Sequence, residues 1–457
     1  MQISWYRWFL TPKFPYFIFY SDIYPELQES EYTMNRQWII IFFSVIFPFL
    51  LHSQNVEFKK SNFKDQKDAF KTARNNLKLG EKIFKDGTKL CKFYNKYAYC
   101  YNGSYAFRAA KKFFLQANAF NPDNAVLNFN LGVCYLYDVA KDSAVYFLKK
   151  AHELNPEIDP LYGFLLAKAY HLNMKWELAI ETYRQYKNGL SGAELEEQGK
   201  MLEKRIQECK NGQEITKKDA RVFIDNIGKI VNTRYSEYGP VISADESVMI
   251  FTSRRSNTTG GDKDPTTEQY YEDIFISYND ENAGWSTPKQ FEKPINTDDH
   301  DAAVGLSPDG QRFFLYKGDA RGGDIYECVL KGDEWSRPKK LSEKINTGAK
   351  ETSACLSYDF RTIFFVSNKN GGYGELDIYM SEVTKSGKRS TPVNLGPTVN
   401  TPYNEDGIFI HPDGKTLYFS SEGHNSMGGY DIFRTTFEDS AWTPPVNLGY
   451  PINAPED

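Results

Sequence analysis

The stretch His411-Pro-Asp-Gly-Lys-Thr-Leu-Tyr-Phe-Ser-Ser421, with Gly428-Gly-Tyr-Asp-Ile-Phe433 after it, decides how this chain is read. A Pro-Asp-Gly turn leads into an aromatic-rich strand, then a glycine-bearing loop, then a second strand, which is the pattern of a β-hairpin. The hairpin recurs. Asp-Ile-aromatic tripeptides stand at Asp273-Ile274-Phe275, Asp324-Ile325-Tyr326, Asp377-Ile378-Tyr379 and Asp431-Ile432-Phe433, at intervals of 51, 53 and 54 residues. The turn before each hairpin is Ser243-Ala-Asp245, Ser307-Pro-Asp309, Ser357-Tyr-Asp359 or His411-Pro-Asp413. An aliphatic-Asn-small signal recurs at Asn232, Asn296, Asn346, Asn400 and Asn453, and an acid follows the first four at Glu237, Asp301, Glu351 and Glu405. Trp285/Pro288, Trp335/Pro338 and Trp442/Pro445 form a Trp-x-x-Pro element in units one, two and four; unit three has Arg389 and Pro392 instead. Several independent markers in one register define a repeat array.

The strands in these units are continuous apolar runs, such as Val248-Met-Ile-Phe251 and Thr362-Ile-Phe-Phe-Val366. Such runs predict strands covered on both faces. Units of about 50 residues with four strands covered on both faces predict propeller blades packed around an axis. The Trp-x-x-Pro element is expected on the outer strand, with Trp between blades. The Asp before each Ile-aromatic pair is expected at a strand start, accepting from backbone donors of the loop before it.

Upstream, residues 58–211 turn helical. Asn121-Pro122 and Asn155-Pro156 lie 34 residues apart, the period of tetratricopeptide repeats. Small residues at Gly132 and Ala144 let two helices approach, while Leu131, Tyr135, Leu148 and Ala151 fill the seam. Leu166, Ala167, Tyr170, Ala179, Tyr183 and Tyr186 form a second copy one residue out of register. Ala98, Tyr101, Ala110, Phe114 and Ala117 form an earlier, fainter one, with an irregular helical pair at 69–89 before it. Residues 194–209 read as a polar closing helix, and residues 212–231 as a linker of mixed charge.

Residues 38–51 are an apolar run after Met34-Asn-Arg-Gln, with a small residue at Ser53. That is the layout of a secretory signal peptide over 34–54, and it leaves 1–33 as a start-site extension. The net charge of -5 lacks the basic footprint of nucleic-acid binding. The six cysteines form no CxxC pair and are expected to be buried free thiols.

Chemical readings give way to structural ones. Gly322-Gly323, Gly371-Gly372 and Gly428-Gly429 precede no helix, so they read as hairpin turns and not as phosphate loops. Asp298-Asp299-His300-Asp301 includes the recurring acid, so loop capping is preferred over a metal site. His411 and His424 stand alone in turns. There is no GxSxG elbow and no HExxH motif. The sequence therefore predicts a protein that is not an enzyme, with no catalytic, cofactor or metal residues assigned. One irregularity carries a functional expectation. From turn Asp to hairpin Asp, unit one takes 28 residues against 15, 18 and 18 in the others. The excess lies in 256–271, with Asn257-Thr-Thr-Gly-Gly and Tyr270-Tyr271, and long loops on a rigid scaffold are common binding devices.

Ser-Pro-Asp-Gly at 307–310, His-Pro-Asp-Gly at 411–414 and the Asp-Ile-Phe/Tyr tripeptides resemble TolB-like β-propeller repeats of bacterial envelope proteins. The order of parts resembles a narrower group: signal peptide, tetratricopeptide repeats, propeller, then an OmpA-like peptidoglycan-binding domain. Tyr235-Ser-Glu-Tyr-Gly-Pro240 and residues 423–433 look especially like that group, some of whose members are associated with type IX secretion and gliding machinery. The expected fold is a multidomain α plus β chain: a tetratricopeptide α-solenoid over 55–211, a linker over 212–231 and a TolB-like propeller over 232–457. Four blades are complete, and Pro451-Ile-Asn-Ala-Pro-Glu-Asp457 is expected to open a fifth. Either four blades close with this tail or the sequence is a fragment, and the fragment is expected because typical propellers of this type need more blades; no OmpA-like domain is present in the sequence. The resemblance implies an exported, non-catalytic interaction scaffold, periplasmic or outer-membrane associated, whose partners are envelope proteins or peptides. Peptidoglycan or glycan is a ligand of the longer form. The alternative is a propeller enzyme or glycan-binding module acting on envelope polymers.

Overall fold

The computed structural model describes residues 54–93, 104–138, 140–218, 222–264, 269–280, 283–307, 309–318 and 323–456. The signal-peptide and start-site readings, and residues Ala98, Tyr101 and Gly322, lie outside them.

Among the described residues seven α-helices come first: α1 (Lys67–Phe93), α2 (Ser104–Phe120), α3 (Ala125–Leu136), α4 (Asp142–Leu154), α5 (Tyr162–Leu172), α6 (Trp176–Asn188) and α7 (Gly192–Ile215). Consecutive helices pack as hairpins, α1 on α2, α3 on α4 and α5 on α6, with α7 against α6. The irregular pair expected at 69–89 is one 27-residue helix. Gly80 does not break it, because the missing side chain admits the Phe114 ring; a Cβ there would stand 2.7 Å from that ring. Gly132 does the same for α4, where a Cβ would stand 2.6 Å from Leu148 Cγ. Asn124 caps α3 by accepting from Leu127 N–H at 2.9 Å, and Ser191 and Glu194 form a capping box on α7. That last helix is not simply a polar lid. Leu202, Ile206 and Cys209 bury against Phe164, Trp176 and Tyr183.

Four antiparallel sheets follow, one per repeat. Blade one uses Glu237–Ile242, Val248–Ser253, Asp273–Asp280 and the outer strand Lys289–Gln290. Blade two uses Asp301–Leu306, Arg312–Lys317, Asp324–Lys331 and Lys339–Lys340. Blade three uses Glu351–Leu356, Thr362–Ser367, Asp377–Glu382 and Val393–Asn394. Blade four uses Glu405–Ile410, Thr416–Ser421, Asp431–Glu438 and Val446–Asn447. The inner strands of successive blades lie side by side. Three apolar seams join the blades, with Phe313 and Phe291 in the first, Phe314 and Phe365 in the second, and Phe364 and Phe419 in the third.

Each sequence marker has a physical place. The Asp of every Asp-Ile-aromatic tripeptide opens the third strand. Asp377 accepts from Tyr373 N–H at 2.6 Å and from Gly374 N–H at 3.0 Å, and Asp431 accepts from Met427 N–H at 3.0 Å. The recurring acids are turned inward. Glu405 accepts from Thr401 N–H and Oγ1 and from Ser421 Oγ, at 2.9, 2.7 and 2.7 Å. The recurring Asn clamps the Ile of the blade before it: Asn400 Oδ1 accepts from Ile378 N–H at 2.8 Å, and its Nδ2 donates to Ile378 O at 3.0 Å.

Two expectations are corrected. Asn453 makes the same clamp on Ile432, at 2.8 and 3.0 Å, so the final segment completes blade four and does not stand apart as a fifth. The tryptophans sit on short strands paired to the end of the third strand, before the outer strand; Trp335 and Trp442 still reach the seams. Gly371-Gly372 and Gly428-Gly429 lie, as expected, in the hairpin connections between the second and third strands of blades three and four. A Cβ on Gly372 would stand 2.3 Å from Asp377 Oδ2.

Candidate functional site

Blade one carries a polar cluster drawn from four separate places in the chain. Glu272, just before the third strand, accepts from the Tyr238 hydroxyl, from Arg254 and from His300 Nδ1. Tyr238 lies on the inner strand, Arg254 follows the second strand, and His300 precedes blade two. Arg254 is only 8% exposed. Its Nε and Nη1 find no acceptor among the described residues, so its charge is balanced by Glu272 on one side only. Burial, then the neighbouring guanidinium, hold the His300 imidazole below its ordinary range. A neutral His300 that donates from Nδ1 keeps Nε2 as an acceptor.

The 256–271 insert builds the wall beside this cluster. Thr259 donates its N–H and hydroxyl to Asp273 Oδ2 at 2.6 and 2.8 Å. Burial nevertheless raises the Asp273 carboxyl above its ordinary range. Farther out the insert turns back on itself, with Asp264 N–H donating to Gln269 O at 2.8 Å and Lys263 facing Tyr270. The Tyr270 ring meets Tyr235 edge-on at 6.1 Å, and Tyr271 meets His300 edge-on at 4.8 Å. The result is an open cleft of about 630 Å³ lined by Gly260, Asp262, Lys263, Tyr271 and Asp298. It offers one aromatic face, one ammonium and two carboxylates, a set suited to a polar ligand with an apolar side.

The run Asp298-Asp299-His300-Asp301 is divided among different tasks. Asp298 pairs with Lys293 at 2.7 Å, His300 joins Glu272, and Asp301 is fully buried under Thr297 and Lys317. No group of three or more potential metal ligands gathers among the described residues. His424 donates from Nε2 to Val399 O, 2.9 Å away, under Phe419 and Phe433, so it is built into blade four. His411 receives the Asp413 N–H at 3.2 Å in its turn. Cys134, Cys209, Cys328 and Cys355 are buried free thiols; burial pushes the last two up to about 12.

Sequence reading missed how blade four enters the helical half. In the 422–430 loop, Met427 is fully buried among Phe164, Ala167, Trp176 and Leu202. His171 Nε2 donates to Met427 O at 2.7 Å, and Asn211 Nδ2 donates to Ser426 O at 2.8 Å. Lys204 lies 4.5 Å from the Tyr403 ring centre, and Lys141 pairs with Glu456. A lone Met in a glycine-rich loop was the only available signal.

The fold and the site define a class: helical hairpins joined to four propeller blades, with a polar cleft on the first blade. Solved structures of similar architecture include TolB from Acinetobacter baumannii (15% identity, 48% of this chain and 45% of that one, TM-score 0.32). They also include a putative TolB from Agrobacterium tumefaciens (17% identity, 48% and 82%, TM-score 0.29) and a post-proline cleaving enzyme from Rickettsia typhi (16% identity, 47% and 30%, TM-score 0.26). The chain thus spans less than half of the Acinetobacter protein. No family model and no curated protein matches the chain. The comparison also corrects an expectation. Peptidases stand among the similar structures, a puromycin hydrolase, prolyl endopeptidases and an acylaminoacyl peptidase included. The expectation that this chain is not an enzyme is therefore withdrawn.

Proposed function

We propose that the protein is an exported interaction scaffold of the bacterial cell envelope. On this reading the helical hairpins are tetratricopeptide repeats, the propeller is TolB-like, and the blade-one cleft receives a segment of another envelope protein. Peptidoglycan or another glycan joins the assembly in a longer form that carries an OmpA-like domain. The observation behind the reading is the blade-one insert. It is anchored by Thr259 on a buried Asp273 and backed by a buried Arg254–Glu272 pair, so the cleft wall is held and not merely tolerated. The partner is expected to come off in envelope pull-downs, and Tyr271→Ala together with Lys263→Glu to weaken its retention at least ~10-fold. Equal retention by the variant would remove the cleft from the proposal, and no saturable partner would remove the scaffold.

A second reading has its own observation. Tyr271 beside Asp262 and Asp298 pairs an aromatic face with carboxylates, an arrangement that also suits a sugar ring. A glycan array and a hydrolase screen on envelope polymers separate the two. Binding or turnover lost in Asp298→Asn would favour the glycan reading.

A further inference from the structure

Residues 223–232 precede blade one, yet they repeat the internal bonds of the segment that closes blades three and four. In blade three, Asn394 Oδ1 accepts from Gly396 N–H and from Asn400 Nδ2, both at 2.8 Å. In blade four, Asn447 does the same for Gly449 and Asn453, both at 2.8 Å. Before blade one, Asn226 Oδ1 accepts from Gly228 N–H at 2.8 Å and from Asn232 Nδ2 at 3.0 Å. The turn is also shared: Asn400, Asn453 and Asn232 each donate N–H to the glycine four residues back, all at 2.9 Å.

The segment also packs as a blade-closing segment does. Between blades two and three, Ile345 meets Leu356, Ile363, Phe365 and Tyr379 of the following blade. Before blade one, Val231 meets the corresponding Ile242, Met249, Phe251 and Phe275. The middle seam further contains Phe314 and Ile325 of blade two. The seam before blade one has no counterpart of either among the described residues.

What the segment lacks is a strand to close. In the four blades, the residue after the outer strand (Phe291, Leu341, Leu395 or Leu448) donates its N–H to the Ile of Asp-Ile-aromatic, at 3.0–3.1 Å. The Asn clamp binds the same Ile. Asn394 and Asn447 each donate from Nδ2 to the neighbouring Asp, at 2.8 and 2.7 Å. The Ile227 N–H, Asn226 Nδ2 and Asn232 Oδ1 have no such partner among the described residues. Phe223 is 90% exposed, and Ile224 and Ile230 about half exposed.

We propose that residues 223–232 are the outer strand and clamp of a further blade, whose three inner strands come from a repeat unit of this same type that brings its own Asp-Ile-Phe or Asp-Ile-Tyr strand. The requirement is specific. The incoming Asp meets Asn226, its Ile meets Ile227 N–H and Asn232, and that Ile side chain takes the place Ile325 holds in the middle seam. The four Asp-Ile strands among the described residues of a second copy do not fit, because each is already clamped.

The test extends the full chain, after Asp457, with a second copy of residues 401–438, which supplies three strands and no outer strand. Amide hydrogen exchange at 223–232 is expected to slow by ~100-fold or more. Asn232→Ala in the extended protein is expected to abolish that slowing while leaving exchange at 393–400 unchanged. An extension whose own amides are protected while 223–232 exchange as in the parent chain overturns the proposal. An extension that stays unprotected overturns it too, because the parent chain then fails to supply the closing strand. Protection accompanied by a dimeric mass supports closure between two chains in place of one.

Discussion

Gly132 in the helical half and Asn400 in the propeller half sit in equally buried seams, and they hold those seams by opposite means. Gly132 works by absence: without a Cβ, α3 comes within contact of Leu148 and the seam is apolar throughout. Asn400 works by presence, giving an acceptor and a donor to the same buried Ile378. The helices need only size to match, because their backbone groups are satisfied within each helix. Each blade must join strands to loops that have no ladder partner, so buried polar side chains supply the bonds. A seam of the first kind fails gradually with volume. A seam of the second kind fails when one charged or polar partner is lost.

The largest expected effect is in blade two. Elsewhere the inward acid meets a serine on the second strand, Ser253, Ser367 or Ser421. In blade two it meets Lys317, which donates to Asp301 Oδ1 and to Ile295 O, both at 2.6 Å. Lys317→Met leaves a fully buried carboxylate without its cation and is expected to cost about 3–5 kcal/mol in denaturant unfolding. Lys317→Ser, which restores the pattern of the other blades, should recover part of that loss. Equal losses in both variants would show that a serine hydroxyl does not stand in for the ammonium, and no loss in Lys317→Met would show that the charge contributes nothing.

Blade four has no cation at that position, and the consequence is a pH dependence. Burial pushes the Glu405 carboxyl from 4.5 up to about 7, against the pull of its bonds from Thr401 and Ser421. The folded protein therefore keeps this proton after the unfolded chain has lost it. Stability is fully present below pH 4.5, falls as pH rises toward 7, and is level above that. The span corresponds to a change on the order of 3 kcal/mol. Glu405→Gln should flatten that part of the profile, and an unchanged slope would assign it to other groups.

In the helical half, Gly132→Ala places a methyl 2.6 Å from Leu148 Cγ and is expected to cost about 1–3 kcal/mol. The double variant with Leu148→Ala should cost less than the sum of the two singles, because the second change makes room for the first. Strict additivity would mean that the helices separate instead of clashing.

The difference between the halves also governs what could be read beforehand. Buried polar devices leave residue identities at fixed spacings, so Asp431, Asn400 and Glu405 were visible as markers before their partners were known. Apolar seams leave only a period. That was enough for Gly132 and Ala144, but it gave an irregular pair at 69–89 where the structure has one helix, with Gly80 in contact with Phe114. The segment before blade one escaped because no Asp-Ile-aromatic strand among the described residues pairs with it. Its Asn226–Gly228–Asn232 spacing, shared with 394–400 and 447–453, was the available signal. The cluster of Tyr238, Arg254, Glu272 and His300 left no spacing at all, since four separate backbone stretches bring it together. Only the length of the 256–271 insert pointed toward it.

The smallest expected effect falls where the helical half borrows the polar device. Asn124 accepts from Leu127 N–H at 2.9 Å and donates from Nδ2 to Val56 O at 3.0 Å, so it both caps α3 and ties down the chain ahead of α1. Asn124→Ala removes both bonds and is expected to cost about 1 kcal/mol. Asn124→Ser keeps the cap and drops the tie. If the serine variant recovers nearly all of the stability, the cap carries the residue's contribution, and faster amide exchange confined to the Val56 region marks the lost tie. If serine is no better than alanine, the tie carries it. In that case even this helical end is held, like the blades, by side chains reaching a loop, with Asn121 Nδ2 sharing the Val56 carbonyl at 2.8 Å.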